Sequence, residues 1–351
     1  MSSPETMAGE VVLVDRGTRP TMADIADHLG ISRPLVSIVL RDAPGASEQT
    51  RQRVRRAARE LGYTPHQGAR SLRQTRSRHL GVTFVPAHAS EPEIIESVYA
   101  AAAGHGYQVL LSAQTPARDQ RQTVEELLSY RCAAIVALGS ELTRAQLKAL
   151  AGRAGVPTVL AGPGHRNASY DVVCSDGQHG IAQAVEHLAG LGHRHLAYLH
   201  CPALPSAAER LRGFTRAAAR AGLHGRVVEV RELGYTEEAG SEAARRLLAG
   251  SARPTALVAG NDQQAVGAMW VLARAGVSIP GQLSVTGYDD TRFARLSAVD
   301  LTTASQDTVA LGQRAVEAAV RRIEQPDLPP QRIPVEPRLI VRSSTGPPSV
   351  G

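Results

Sequence analysis

Nine short apolar runs recur along the chain, at residues 80–85, 108–112, 134–138, 158–161, 171–174, 195–199, 226–230, 256–259 and 283–287. Runs of that length without polar alternation suit strands buried on both faces. Between most of them lie amphipathic stretches of helical period, at 93–103, 123–130, 145–153, 180–191, 208–221, 237–249 and 263–275. Strand–helix alternation places successive strands parallel through right-handed crossovers. So many units exceed what one small open sheet needs. The pattern therefore predicts an α/β body of two doubly wound lobes flanking a cleft, with ligand held at the carboxyl ends of the strands.

The region before residue 64 does not follow that pattern. Residues 21–40 fit two short helices joined by a tight turn. Thr21 can cap the first, with Asp24 in its first turn and Ile25, Ala26 and Leu29 on one face. Gly30 supplies the positive φ at which such a helix ends, and Ile31 fills the space between the two. Ser32 is a natural cap for the second helix, and Pro34 falls in its first turn, where a missing N–H removes no intrahelical bond. Val36, Val39 and Leu40 face inward, leaving Arg33, Pro34, Ser37, Ile38 and Arg41 outward. Such a pair is a helix-turn-helix or an ordinary helical hairpin. A third helix, capped by Ser47 and running to Leu61, carries five arginines around Val54, Ala57 and Ala58.

Charge distribution favours the DNA-binding reading. Residues 18–78 hold twelve arginines and five acidic residues, a surplus of seven, so the remaining 290 residues sum to −1 of the chain's +6. A surface that displaces counterions from phosphates needs this asymmetry.

Residues 21–72 resemble the DNA-binding head of the lactose-repressor (LacI/GalR) family of transcriptional regulators. The resemblance is carried by Ala23-Asp24-Ile25-Ala26, Gly30-Ile31-Ser32, Val36-Ser37, Thr50-Arg51, Leu61-Gly62-Tyr63-Thr64-Pro65 and Ala69-Arg70-Ser71-Leu72. It implies DNA contacts from Thr21, Ser32, Arg33, Pro34, Leu35, Ser37, Arg41, Thr50 and Tyr63. It also implies a hinge helix with Ala69, Arg70, Leu72 and Arg73, in which Leu72 wedges into the minor groove. Leu35, Ile38 and Arg41 stand where the family usually has Thr, Arg and Asn.

The later chain resembles the same family's effector domain, itself similar to periplasmic sugar-binding proteins. The supporting stretches include Ser175-Asp176-Gly177, Leu191-Gly192-His193-Arg194, residues 209–214, Gly260-Asn261-Asp262, residues 284–290 and Leu301-Thr302-Thr303. Arg210, Asn261 and Asp289, each just past a strand or at a helix start, match effector-contacting positions. Arg can fork two hydrogen bonds and Asp can accept from paired hydroxyls, which suits a polyol or sugar. The structural alternative is that Arg210 and Asp289 form an ion pair and Asn261 caps the next helix. Tyr235 falls where an aromatic often stacks on ligand, or else is a half-exposed loop tyrosine. Gly162 and Val85 replace the acidic and small hydroxyl residues of some sugar-responsive members, and aromatics make up only 3% of the chain.

The expected organisation is a disordered leader (1–18), a helix-turn-helix head (19–63), a hinge segment (64–78) and an effector-binding and dimerisation domain (79–345). Lobe one is expected to hold about 79–174 and 304–326, and lobe two about 175–303 and 327–345, with crossings near Cys174, Thr303 and Pro326. No Walker loop, dinucleotide glycine fingerprint, nucleophile elbow or metal-spaced His/Cys cluster is present, so no enzyme activity and no cofactor are expected. Cys132, Cys174 and Cys201 are read as buried thiols. A periplasmic binding protein fits the second domain alone. The expected function is a cytoplasmic regulator, a repressor that binds double-stranded palindromic operator DNA as a homodimer. A small-molecule effector, sugar-like or another polar metabolite, controls it, and no membrane is involved.

Overall fold

The computed structural model describes residues 20–63, 77–139, 155–162, 170–202, 206–231, 234–250 and 254–349, with positions 145, 149 and 152 besides. The expected leader and hinge residues Ala69, Arg70, Leu72 and Arg73 lie outside the described residues, as does most of the stretch 145–153. The chain divides near residue 75 into two compact units.

Among the described residues the first unit holds three helices, α1 (Met22–Leu29), α2 (Arg33–Leu40) and α3 (Glu48–Glu60). Local chemistry sets every boundary. The Thr21 hydroxyl accepts from the backbone N–H groups of Ala23 and Asp24, while the Asp24 carboxylate accepts from Thr21 N at 2.6 Å, a reciprocal box that satisfies the orphan donors of the first turn. Gly30 closes α1 at φ +63°. Ser32 and Ser47 cap α2 and α3 through the N–H groups of Leu35 and Thr50. Ile25, Ala26, Val36, Val39, Val54, Ala57 and Ala58 form one buried core, with Leu29, Ile31, Leu40 and Leu61 packed around it.

The second unit contains two six-stranded sheets. Lobe one comprises β1 (His79–Phe84), α4 (Glu91–Gly104), β2 (Gln108–Ala113), α5 (Gln120–Ser129), β3 (Ala134–Leu138), β4 (Thr158–Ala161) and β5 (Asp171–Ser175), joined later by α10 (Thr308–Glu324) and β11 (Arg332–Val335). Its strands run in the order β11-β5-β4-β3-β1-β2, all parallel. Lobe two comprises α6 (Gly177–Gly190), β6 (His195–His200), α7 (Ala207–Arg220), β7 (His224–Glu229), α8 (Glu237–Ala249), β8 (Ala256–Val258), α9 (Asp262–Arg274), β9 (Ser284–Asp289), β10 (Thr302–Ser305) and β12 (Arg338–Ile340). Its order is β12-β10-β9-β8-β6-β7, and only β12 runs antiparallel. In lobe one, α4 and α10 cover one face through Ile94, Val98, Leu311 and Val316, and α5 packs Val124 and Leu127 elsewhere on the sheet with Ile135. In lobe two, α8 and α9 share one core and α6 and α7 another.

The nine expected strands are present, with ends shifted by a residue or two. Three more strands, β10, β11 and β12, were not expected, because runs such as Thr-Thr-Ala-Ser and Arg-Ile-Pro-Val carry too little apolar signal alone. The third crossing is corrected as well. Ile333 and Val335 pair in register with Val173 and Ser175 of lobe one, so the chain returns to lobe two at Glu336–Pro337 and not near Pro326. Pro334 is tolerated because β11 is an edge strand. The three cysteines are free and buried, and burial pushes the thiols of Cys132 and Cys174 up to about 11, which makes both unreactive near neutral pH. No helix among the described residues is long and apolar enough to cross a membrane.

Candidate functional site

Two surfaces concentrate the expected site residues, one in each unit. In the first unit, α2 turns Val36 and Val39 into the core and leaves Arg33 and Pro34 exposed, with Leu35, Ser37 and Ile38 partly so. Not every arginine around it is available to a ligand. Arg51 donates from Nη1 to Asp42 at 3.0 Å and from Nη2 to the Ala43 carbonyl at 2.6 Å, and Arg55 joins the same carboxylate at 2.9 Å. These contacts hold the turn between α2 and α3. Arg41 folds back, its Nε donating to the Ser37 carbonyl at 3.0 Å. Thr50 is engaged at the α3 cap, its hydroxyl 2.9 Å from that of Ser47. Tyr63 stands near Arg33: burial pushes its hydroxyl up, and the guanidinium draws it part of the way back. Thr21 and Ser32 serve as the caps described above.

In the second unit, the residues gather at the carboxyl ends of the lobe-two strands. Arg210 in the first turns of α7 is only 8% exposed. Its Nη1 donates to the Gly260 carbonyl and its Nη2 to Asp289 Oδ1 at 3.4 Å. The guanidinium lies 3.9 Å from the centre of the Tyr288 ring and 5.1 Å from that of Tyr235. Burial alone would weaken its hold on the proton, but Tyr235 and Asp289 outweigh that and raise it. Nε is buried with no partner among the described residues. An arginine fixed on two sides with one N–H unmet can donate to an incoming acceptor, since an orphaned buried donor costs about 1–3 kcal/mol until something accepts from it.

Asp289 also accepts from Gln306 Nε2 at 3.2 Å, and its backbone is held at φ +114° beside Asp290 at φ +54°. Non-glycine residues adopt such angles rarely, and strain of this kind concentrates at functional sites. Burial pushes the Asp289 carboxyl up, and Arg210 and then His88 pull it down. Asp262 lies fully buried beneath, accepting from Thr291 N at 2.7 Å, Thr291 Oγ1 at 3.0 Å and Thr303 Oγ1 at 2.6 Å. Its carboxyl is raised by burial and then by Asp289. Asn261 caps α9 through Gln264 N at 3.0 Å and donates to the Tyr235 carbonyl at 3.3 Å. The Tyr235 hydroxyl is 2.7 Å from Ser206 Oγ. The structural alternatives weighed for Arg210, Asp289 and Asn261 are thus the contacts they make.

Lobe one meets this cluster with residues that sequence patterns did not single out. The Glu91 carboxylate is buried, accepts from Val85 N at 2.6 Å and lies 2.6 Å from His88 Nδ1. Gly139, at φ +51°, leaves room for that pair, since a Cβ there would overlap both side chains. Across the lobes, Ala89 N donates to Gln263 Oε1 at 3.2 Å, Arg295 pairs with Glu93, and the Tyr288 hydroxyl is 2.6 Å from Ser175 Oγ. The one available signal was the spacing of His88 and Glu91 just after a strand. Gly162 ends β4 at φ +148°, where a longer side chain is disfavoured. A surface cavity of about 670 Å³ runs elsewhere, along α8 and α9, and holds none of the expected residues. No cluster of three or more metal-ligating side chains occurs among the described residues.

Comparison with known proteins agrees with both units. Residues 21–66 match the family described as bacterial regulatory proteins, lacI family, and residues 185–345 match the periplasmic binding protein-like domain. The transcriptional repressor PurR of Haemophilus influenzae is 32% identical over 331 residues, covering 92% of this chain and 98% of PurR. Among solved structures, the lac repressor dimer bound to operator and the anti-inducer ONPF is 27% identical, with a TM-score of 0.81 over 94% of this chain and 100% of that one. The regulator CelR in complex with cellobiose is 27% identical, with a TM-score of 0.67 over 93% and 100%.

Proposed function

The chain belongs to the lacI family of bacterial regulatory proteins, DNA-binding transcriptional regulators with a periplasmic-binding-protein-like domain, and from that premise we propose that it is a cytoplasmic repressor. As a homodimer it grips a palindromic operator with two α2 helices, and a small polar effector in the interlobe cleft sets its affinity for that operator. The observation that carries the proposal is the exposed outer face of α2, presented by a compact and fully capped three-helix head. Two-fold protein symmetry mirrors a palindromic site, and one head covers too little DNA to bind tightly alone.

The effector side rests on Arg210, Asn261, Asp289 and Tyr235, with the unmet Nε–H of Arg210 as the donor to the ligand's first acceptor. The cellobiose complex of CelR supports a polyol or sugar. Hinge contacts from Ala69, Arg70, Leu72 and Arg73 belong to the same proposal. Ligand closure shifts the lobes and, through them, the spacing of the two heads, a coupling of about 1–3 kcal/mol.

Genome-wide footprinting of the bound protein tests the reading. Enrichment at inverted repeats beside a common set of genes is the expected result, and those genes identify the effector class. A purified dimer with no preference for any site over bulk DNA at physiological salt overturns it.

A further inference from the structure

The outer face of α2 is apolar where base edges would lie. Pro34 and Ile38 are four residues apart and so stack on one ridge, opposite Val36 and Val39 in the core. Pro34 is exposed. Ile38 is half-buried and is braced from one side by the turn after α2: Ala43 N donates to the Ile38 carbonyl at 3.0 Å, and a Cβ on Gly45 would sit 3.8 Å from Ile38 Cδ1. Leu35 flanks the ridge. The polar residues of that face are a short hydroxyl at Ser37 and Arg41, whose Nε is tied to the Ser37 carbonyl. Arg33, at the helix start, is exposed and long enough to fork toward a base.

Resting on the operator reading above, we infer that α2 recognises thymine C5-methyl groups through Pro34 and Ile38, so that each half-site places thymines beneath this ridge. The partner is set by charge, since residues 18–78 carry twelve arginines against five acidic residues, Arg33 and Arg41 at the two ends of α2 among them, and call for a polyanion. Within a major groove, the thymine methyl is the one apolar feature; every other base edge presents donors or acceptors that an apolar side chain would desolvate without replacing. The ridge therefore discriminates by fit to a methyl and by rejection of bare polar edges. Arg33 adds a guanine at the flank.

The test uses the full-length chain and a duplex selected from random sequence. Thymines of the selected site are then exchanged one at a time for uracil, which removes the methyl and leaves base pairing unchanged. Uracil beneath the ridge is expected to weaken binding by about four-fold per methyl, the factor that burial of one such group carries, while uracil outside the site has no effect. Ile38→Ala is expected to abolish the uracil effect at its own position, with the other positions keeping theirs. A selected site that tolerates every exchange without loss overturns the inference and leaves the operator reading intact, and so does an Ile38→Ala protein with undiminished sensitivity at every position. Failure to select any site removes both.

Discussion

The head surface and the effector cleft are built by opposite routes. In the head, every contact that shapes α2 comes from within about thirty residues: Ser32 caps it, Gly30 turns the chain into it, and Val36 and Val39 meet Ile25 and Val54. In the cleft, Arg210 meets Asp289 across 79 positions, Asp262 meets Thr303 across 41, and Ala89 meets Gln263 across 174. The head surface is exposed and its members act almost separately, whereas the cleft is buried and its members depend on one another. A substitution in the head should therefore change recognition and spare the body. One in the cleft should cost stability and response together.

Arg210→Ala is the strongest test of that contrast. Removing one partner of a buried pair leaves the Asp289 charge with only the neutral Gln306 amide and takes the arginine donor from the Gly260 carbonyl, so the body should lose about 3–5 kcal/mol of unfolding free energy in a denaturant titration, along with all effector response. Unaltered stability would mean that the cleft is as loosely coupled as the head. Arg33→Ala should relax base preference at one position of each half-site by about 1–3 kcal/mol and leave affinity for random DNA nearly unchanged, read by competition binding. A uniform loss on all sequences would make Arg33 a phosphate contact instead. Ser32→Ala removes the cap of α2 and should cost about 1 kcal/mol, seen as a lower melting temperature of the head. An equal shift in the unfolding of the body would break the separation of the two units.

The smallest effect concerns acidity and falls on the body alone. His193 is fully buried between Thr255 Oγ1 at 2.8 Å and the Gly346 carbonyl at 2.9 Å, and His187 is 2.9 Å from Thr345 Oγ1. Burial lowers the pKa of both below the ordinary value of 6.5. The unfolded chain then binds protons more readily than the folded one. The stability from the neutral rings is complete above about pH 6.5 and declines as pH falls through the lowered values. Because the buried carboxyls of Asp262 and Asp289, raised by burial, act in the opposite direction, the histidine contribution is read as a difference: the stability gap between wild type and His193→Gln should narrow as pH falls from about 7.5 to about 5.5.

Much of the fold could be read from the chain because its signals are local. Thr21, Gly30, Ser32 and Ser47 punctuate the head, and continuous apolar runs such as 134–138 mark strands buried on both faces. β10, β11 and β12 escaped because Thr-Thr-Ala-Ser, Arg-Ile-Pro-Val and Arg-Leu-Ile become strands only through the neighbours they pair with. Arg210, Asn261 and Asp289 were found by resemblance and by their place at strand ends. The orphaned Nε of Arg210 and the Gln306 contact were not, and the close spacing of His88 and Glu91 after a strand does not announce that the pair faces them.

By itself the sequence determined the secondary-structure grammar, the basic head, and which residues its second helix turns outward. Caps, periodicity and charge act between residues a few positions apart, so they survive in the linear order. Only the tertiary structure decided which strand completes which lobe, where the chain makes its last crossing, and which arginines are tied down and which remain open to a ligand. Those outcomes depend on burial and on partners tens to hundreds of residues away, and both come into existence only when the sheets close.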